Sequence, residues 1–117
     1  MKHMIPNEIR LSHGQRVLIL VYVDTVYKLT AEYLRVFSPS AEVQGHGIGQ
    51  EVLQTGKRDV KVTAVTPVGN YAVKITFSDG HDSGLYDWNY LHALSIQQKE
   101  RWAEYEKKLQ MAGATRD

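Results

Sequence analysis

Seven consecutive apolar residues at positions 17–23 (Val-Leu-Ile-Leu-Val-Tyr-Val) are the strongest hydrophobic feature of the chain. They are β-branched and aromatic, and too few to cross a bilayer. The run reads as a strand buried on both faces, or as one with weak alternation. Asp24-Thr25 makes a turn, and residues 26–29 return as a second strand. Thr30 then stands where an N-cap belongs, with Glu32 in the first turn, so a short helix through Tyr33, Leu34 and Val36 follows. It ends before Ser38-Pro39-Ser40, because a residue preceding proline avoids the helical region. Upstream, residues 5–11 form an extended lead-in that Pro6 keeps out of helix, and His13-Gly14-Gln15 is a turn.

The second half opens with residues 59–66, which alternate strictly and place Val60, Val62, Ala64 and Thr66 on one face of a half-buried strand. Gly69-Asn70 can supply the positive φ values of a tight hairpin. Residues 71–77 form its partner, with Tyr71, Val73, Ile75 and Phe77 on one side. Asp79-Gly80 signals another hairpin, and Leu85-Tyr86 lies on the returning strand. Asp87 caps a short helix over residues 88–94. Ser95 with Gln98 reads as a capping box for a last helix, in which Trp102, Tyr105 and Leu109 share a face. Gly113 ends that helix, and residues 114–117 are expected to fray.

The two halves repeat. Leu20-Val21-Tyr22-Val23-Asp24 matches Ile75-Thr76-Phe77-Ser78-Asp79, and Glu32-Tyr33-Leu34-Arg35 matches Asn89-Tyr90-Leu91-His92, with two extra residues in the second hairpin turn. Each copy reads as strand, acidic turn, strand, short helix. The expected fold is α+β: an antiparallel sheet built from two strand–turn–strand–helix repeats and shared by both, helices on one face, and a C-terminal helix. One domain spans residues 1–117, with its core over about 5–109; 117 residues suit one core and require no staple.

Composition narrows the function. Fourteen basic against thirteen acidic residues give +1, so no strong single-sign field is expected, and neither nucleic acid nor a membrane surface is an expected partner. There is no cysteine, which excludes disulfides, a thiol nucleophile, thiolate-bound iron–sulfur clusters and sulfur-ligated zinc. The N-terminal residues lack an apolar segment of signal-peptide length, and the expected location is the cytoplasm.

Candidate chemistry is sparse. His81 follows the Asp79-Gly80 turn and precedes Asp82; with His46 it could bind a metal ion, although a turn histidine is explained as readily by a backbone hydrogen bond. No histidine pair shows the spacing that puts two ligands on one helix face. Gly45-His46-Gly47-Ile48-Gly49 has the glycine content of a phosphate loop. It lacks the preceding strand, the following helix and the Gly-Lys-Ser/Thr, so a flexible or partner-contacting loop is the better reading. Ser38, Ser40, Ser78 and Ser83 lie in no Gly-x-Ser-x-Gly elbow, and Asp79 and Asp82 read as turn formers before they read as an acid/base pair. Trp88, Tyr90, Trp102 and Tyr105 fall at helical spacing, which favours core packing over a base-stacking platform.

Three stretches carry a resemblance: residues 31–47, residues 67–72 (Pro-Val-Gly-Asn-Tyr-Ala) and residues 77–88, which include Ser-Asp-Gly-His-Asp-Ser-Gly-Leu-Tyr-Asp-Trp. Together they resemble the gamma-butyrobetaine-hydroxylase-like N-terminal domain family, over about residues 5–109. The resemblance implies a module that precedes the catalytic barrel of carnitine-synthesis dioxygenases. In them it holds a structural zinc, through three cysteines and a histidine, and contains no iron site. The cysteine positions fall on Ser38, Ser40 and Val43, the histidine on His81. This chain keeps one ligand of four, and a sulfur-type zinc site cannot form. Relatives fused to P-loop ATPases that carry iron–sulfur clusters suggest a role beside cluster assembly.

The expected function is therefore that of a non-catalytic binding or scaffold module without a cofactor. It would act through a protein partner, and be linked to iron–sulfur or metal-cofactor metabolism. Its contact surface would comprise Ser38, Ser40, Gly45, His46, Gly47 and Gly49 with Asp79 and Asp82. The alternative is a metal-binding protein that uses His81 and His46.

Overall fold

The computed structural model of the protein describes residues 5–45 and 51–117. Strands β1 (Glu8–Leu11), β2 (Val17–Val21) and β3 (Val26–Thr30) form one antiparallel sheet and lead into α1 (Ala31–Val36) and the short α2 (Ala41–Gln44). Strands β4 (Val62–Val68), β5 (Ala72–Phe77) and β6 (Leu85–Asp87) form a second and lead into α3 (Trp88–Ile96) and α4 (Gln98–Ala112). The α+β class and the antiparallel repeats stand as expected. The repeats do not share one sheet, however; each builds its own, and each recruits a preceding strand.

The registers show how closely the copies agree. Val17 pairs with Thr30, Leu18 with Leu29 and Ile19 with Lys28; in the second copy Ala72 pairs with Asp87, Val73 with Tyr86 and Lys74 with Leu85. Thr30 and Asp87 then cap their helices in the same way, accepting from the backbone N–H of Tyr33 and Tyr90. The two tyrosines tie the copies together reciprocally. Tyr33 Oη donates to the Leu94 carbonyl at 2.7 Å, and Tyr90 Oη donates to the Phe37 carbonyl at 2.6 Å. Each acceptor lies four residues beyond the other copy's tyrosine, as a pseudo-twofold relation between the repeats requires. Removing one hydroxyl leaves a helix-end carbonyl without its partner. We therefore expect Tyr33→Phe and Tyr90→Phe each to cost about 1–2 kcal/mol, measured by denaturant unfolding.

Both sheets send side chains into one core. Leu18, Leu20 and Leu29 of the first meet Val62, Ile75, Phe77 and Tyr86 of the second, with Tyr33, Leu34, Leu91 and Leu94 from the helices. Alternation in β2 is therefore real, with Leu18 and Leu20 facing inward. Three local expectations need correction. A register shift between Val62 and Ala64 bulges β4, so Val65 instead of Ala64 packs against the core, and Ala64 and Thr66 face solvent. Only Gly69 of the Gly69-Asn70 pair takes a positive φ, +55°. Ser95 is no cap: α3 runs to Ile96, the Ser95 hydroxyl donates back to the Leu91 carbonyl, and α4 begins at Gln98, with Gln97 at the N-cap position and no side-chain cap bond.

The last residues are fixed, against expectation. Gly113 takes a φ of +64° and closes α4. The chain then pairs with residues 56–58 through Gly56 N–H to the Thr115 carbonyl and Arg58 N–H to the Arg116 carbonyl. Arg116 holds the buried Glu32 of α1 with two bonds of 2.7 Å, and its guanidinium lies 5.2 Å from the centre of the Trp102 ring.

Candidate functional site

The end of α1 and the β5–β6 hairpin meet at one corner. Ser38 and Ser40 flank Pro39 just past α1, and His81 and Ser83 occupy the hairpin. Ser38 Oγ lies 2.9 Å from His81 Nε2, and Ser40 Oγ 2.7 Å from Ser83 Oγ. Both pairs are offset by 43 residues, so the segments run side by side in parallel. Ser40 also caps α2, accepting from Glu42 N–H. That cap turns Glu42 toward the hairpin, where its carboxylate accepts from the Ser83 hydroxyl at 3.2 Å and faces His81 Nδ1 at 3.5 Å. His81 Nε2 thus has a hydrogen-bond partner, and Nδ1 a facing carboxylate. Ser38 is fully buried, while Ser40 and His81 are 5% and 7% exposed.

Gly84 makes the approach feasible. A Cβ at this position would stand 2.5 Å from Ser38 Oγ and 3.2 Å from Pro39 Cδ. Gly84→Ala should therefore push the hairpin off the serine and cost about 2 kcal/mol, a loss that overpacking of this kind commonly produces and that thermal unfolding would read. A stability equal to that of the parent would show the two segments to be loosely joined.

Asp79 anchors the hairpin on its other side. It accepts from Arg35 Nε at 2.9 Å, from Lys57 Nζ at 2.7 Å and from the His81 backbone N–H at 3.2 Å. Partial burial pushes the Asp79 carboxyl up, but the bonds from Lys57, His81 N–H and Arg35 outweigh that and hold it down at about 2. Burial drives the His81 pKa below its ordinary value, and the Arg35 charge pushes the same way, against Glu42 and Asp79. Neutral imidazole is the favoured form.

The order Ser38–His81–Glu42 has the connectivity of a nucleophile, a base and an orienting acid, but the wrong exposure. An acyl-transfer site exposes its hydroxyl to substrate and buries the acid. Here the hydroxyl is fully buried, and the Glu42 side chain is 72% exposed. Ser38 Oγ also accepts from Ser40 N–H at 3.2 Å. These side chains form a structural clasp.

The donor set fits zinc no better. The positions at which the resemblance implies cysteines carry two hydroxyls and the apolar, buried Val43, and His81 Nε2 is already engaged by Ser38. Among the described residues, Tyr22 Oη is the one buried side-chain polar atom without a partner, and it lies outside this corner. No orphaned donor or acceptor in the clasp awaits an ion. Among the described residues, no group of three or more His, Asp or Glu side chains converges with the geometry of a metal site.

Of the residues singled out in the sequence, Ser38, Ser40, Asp79 and His81 come together here. Asp82 is exposed at the hairpin tip, and Gly45 ends α2 at a φ of +74°. His46, Gly47 and Gly49 lie outside the described residues, so the His81–His46 pairing has no geometry to report. Sequence reasoning missed Arg35, Glu42, Lys57 and Ser83 as members. The signal for Arg35 was a cation between the apolar Leu34 and Val36, which a buried helix face accepts only when an anion meets it.

The model of the family described as gamma-butyrobetaine hydroxylase-like, N-terminal, matches residues 9–92. The chain belongs to this family. The matched region contains both three-stranded sheets apart from Glu8, with α1, α2 and every side chain of the clasp. Among solved structures, two proteins determined in solution by NMR are similar. The first is 50% identical with a TM-score of 0.85, over 97% of this chain and 90% of its own length. The second is 45% identical with a TM-score of 0.79, over 94% and 83%. A crystal structure of a DUF971-family protein of unknown function from Acidithiobacillus ferrooxidans is 39% identical with a TM-score of 0.65, over 80% of this chain and 94% of that one. No curated protein matches the chain. Among the described residues, no helix is long and apolar enough to cross a membrane.

Proposed function

We propose that this protein is a non-catalytic binding module of the gamma-butyrobetaine-hydroxylase-like N-terminal family. Its partner surface is the corner formed by residues 38–45 and the hairpin tip at 79–83. The partner is a protein, and the setting is metal-cofactor or iron–sulfur metabolism in the cytoplasm. The observation that supports this most is the rigid union of two segments 43 residues apart through Ser38–His81 and Ser40–Ser83. The union presents the exposed Glu42 and Asp82 on a fixed frame. Fixed frames carrying exposed loop residues are what recognition surfaces are built from, because little ordering entropy remains to be lost on binding.

Charge reversal at the hairpin tip tests the reading without touching the clasp. Affinity capture from native cytoplasm with the parent protein should recover a specific partner, and Asp82→Lys should lose it while still melting cooperatively. Recovery of the same partner by the reversed variant would place the surface elsewhere. The rival reading, metal binding through His81 and His46, predicts stoichiometric metal that disappears in His81→Ala.

A further inference from the structure

We propose that the Ser38–His81 clasp does in this chain, by hydrogen bonds alone, the cross-linking that a tetrahedral zinc would do at the same four positions, so that the chain has exchanged a metal staple for a polar one. A structural zinc joins distant segments by drawing donors from each onto one point. The same segments are joined here by side-chain hydrogen bonds. Ser38 reaches His81 at 2.9 Å, and Ser40 reaches Ser83 at 2.7 Å.

Three observations favour exchange over simple loss of the site. First, losing thiolates from a buried site would leave a histidine with an unsatisfied ring nitrogen, a cost of about 1–3 kcal/mol. His81 Nε2 instead has a hydrogen-bond partner in Ser38, and Nδ1 faces the Glu42 carboxylate at 3.5 Å. Second, the buried serine is fully enclosed, and Gly84 leaves room for it. A hydroxyl in such a place is tolerated only when it is hydrogen-bonded. Third, the apolar Val43 is buried at the remaining position, against the cavity wall that Ser38 also lines. It contributes packing where a fourth donor would otherwise need a partner.

If the clasp is a unit, its members are coupled. Ser38→Ala and His81→Ala should each lower Tm by roughly 5–10 °C, and the double variant should lose clearly less than the sum. The exchange should also be reversible. The variant Ser38→Cys/Ser40→Cys/Val43→Cys, with His81 retained, should bind one cobalt(II) with the absorption of a tetrahedral thiolate site. It should also gain Tm on adding zinc. Additive single losses would overturn the clasp. Failure of a folded triple-cysteine variant to bind cobalt(II) would overturn the equivalence with a metal staple, as would stoichiometric zinc in the parent protein. None of these readouts depends on a protein partner, so they stand apart from the partner surface proposed above.

Discussion

Arg116→Ala is expected to destabilise the protein by about 2–4 kcal/mol, lowering Tm by roughly 10–15 °C. The reason lies in Glu32. Its side chain is 7% exposed on α1, and Arg116 meets both of its carboxylate oxygens at 2.7 Å. Removing the guanidinium leaves a carboxylate enclosed without its counter-charge, which costs more than the pair itself contributes. It also removes the stacking on Trp102 and the anchor that holds residues 115–117 against residues 56–58. Arg116→Lys should fall between, because an ammonium cannot match two oxygens at once. Adding Glu32→Gln to Arg116→Ala should recover part of the loss by removing the stranded charge. Calorimetric melting of the four proteins tests the order. An Arg116→Ala variant that melts with the parent would show the terminal strap to be unimportant.

Asp79→Asn is expected to cost about 2–3 kcal/mol at neutral pH, and to change the acid limb of the stability curve. The Arg35 side chain is 9% exposed and, among the described residues, is held by Asp79 and the Gln54 side chain, so loss of the carboxylate leaves a nearly enclosed cation. The pH dependence follows from the lowered pKa of about 2 against an unperturbed 3.8. A depressed carboxylate contributes stability that is complete above pH 5 and is lost as pH falls through 4 toward 2. Allowing for the 27% exposure of the side chain, that contribution is about 1–2 kcal/mol. His81 adds an earlier loss. Its folded pKa lies below the ordinary 6.5, so the unfolded chain binds its proton first and stability declines as pH drops below 6.5. Urea unfolding from pH 7.5 to 2.5 should therefore show two declining limbs in the parent and a shallower lower limb in Asp79→Asn. An identical lower limb in both proteins would remove Asp79 from the account.

Local chemistry made much of the fold legible. Thr30 and Asp87 announce helix starts because a cap needs only its own next three residues, and the repeat shows in short strings. What failed was decided at a distance. The β4 bulge depends on the cross-strand register with β5, which alternation within one strand does not encode. Ser95 has the residue type of a cap, yet the packing of α3 carries that helix past it. The terminal residues look like a fraying tail until Arg116 meets Glu32, 84 positions away. At the site, Ser38, Ser40 and His81 were placed together through the family resemblance. Glu42 was not, since nothing local marks a carboxylate that works across 40 residues, and Arg35, a cation between Leu34 and Val36, signals a buried charge without naming its partner.

The most direct test of the account is calorimetric. The untagged protein should be melted as purified, after exhaustive treatment with a strong zinc chelator, and after zinc is returned. A corner clasped by hydrogen bonds predicts three superimposable transitions. A Tm that falls on chelation and returns with zinc would contradict it.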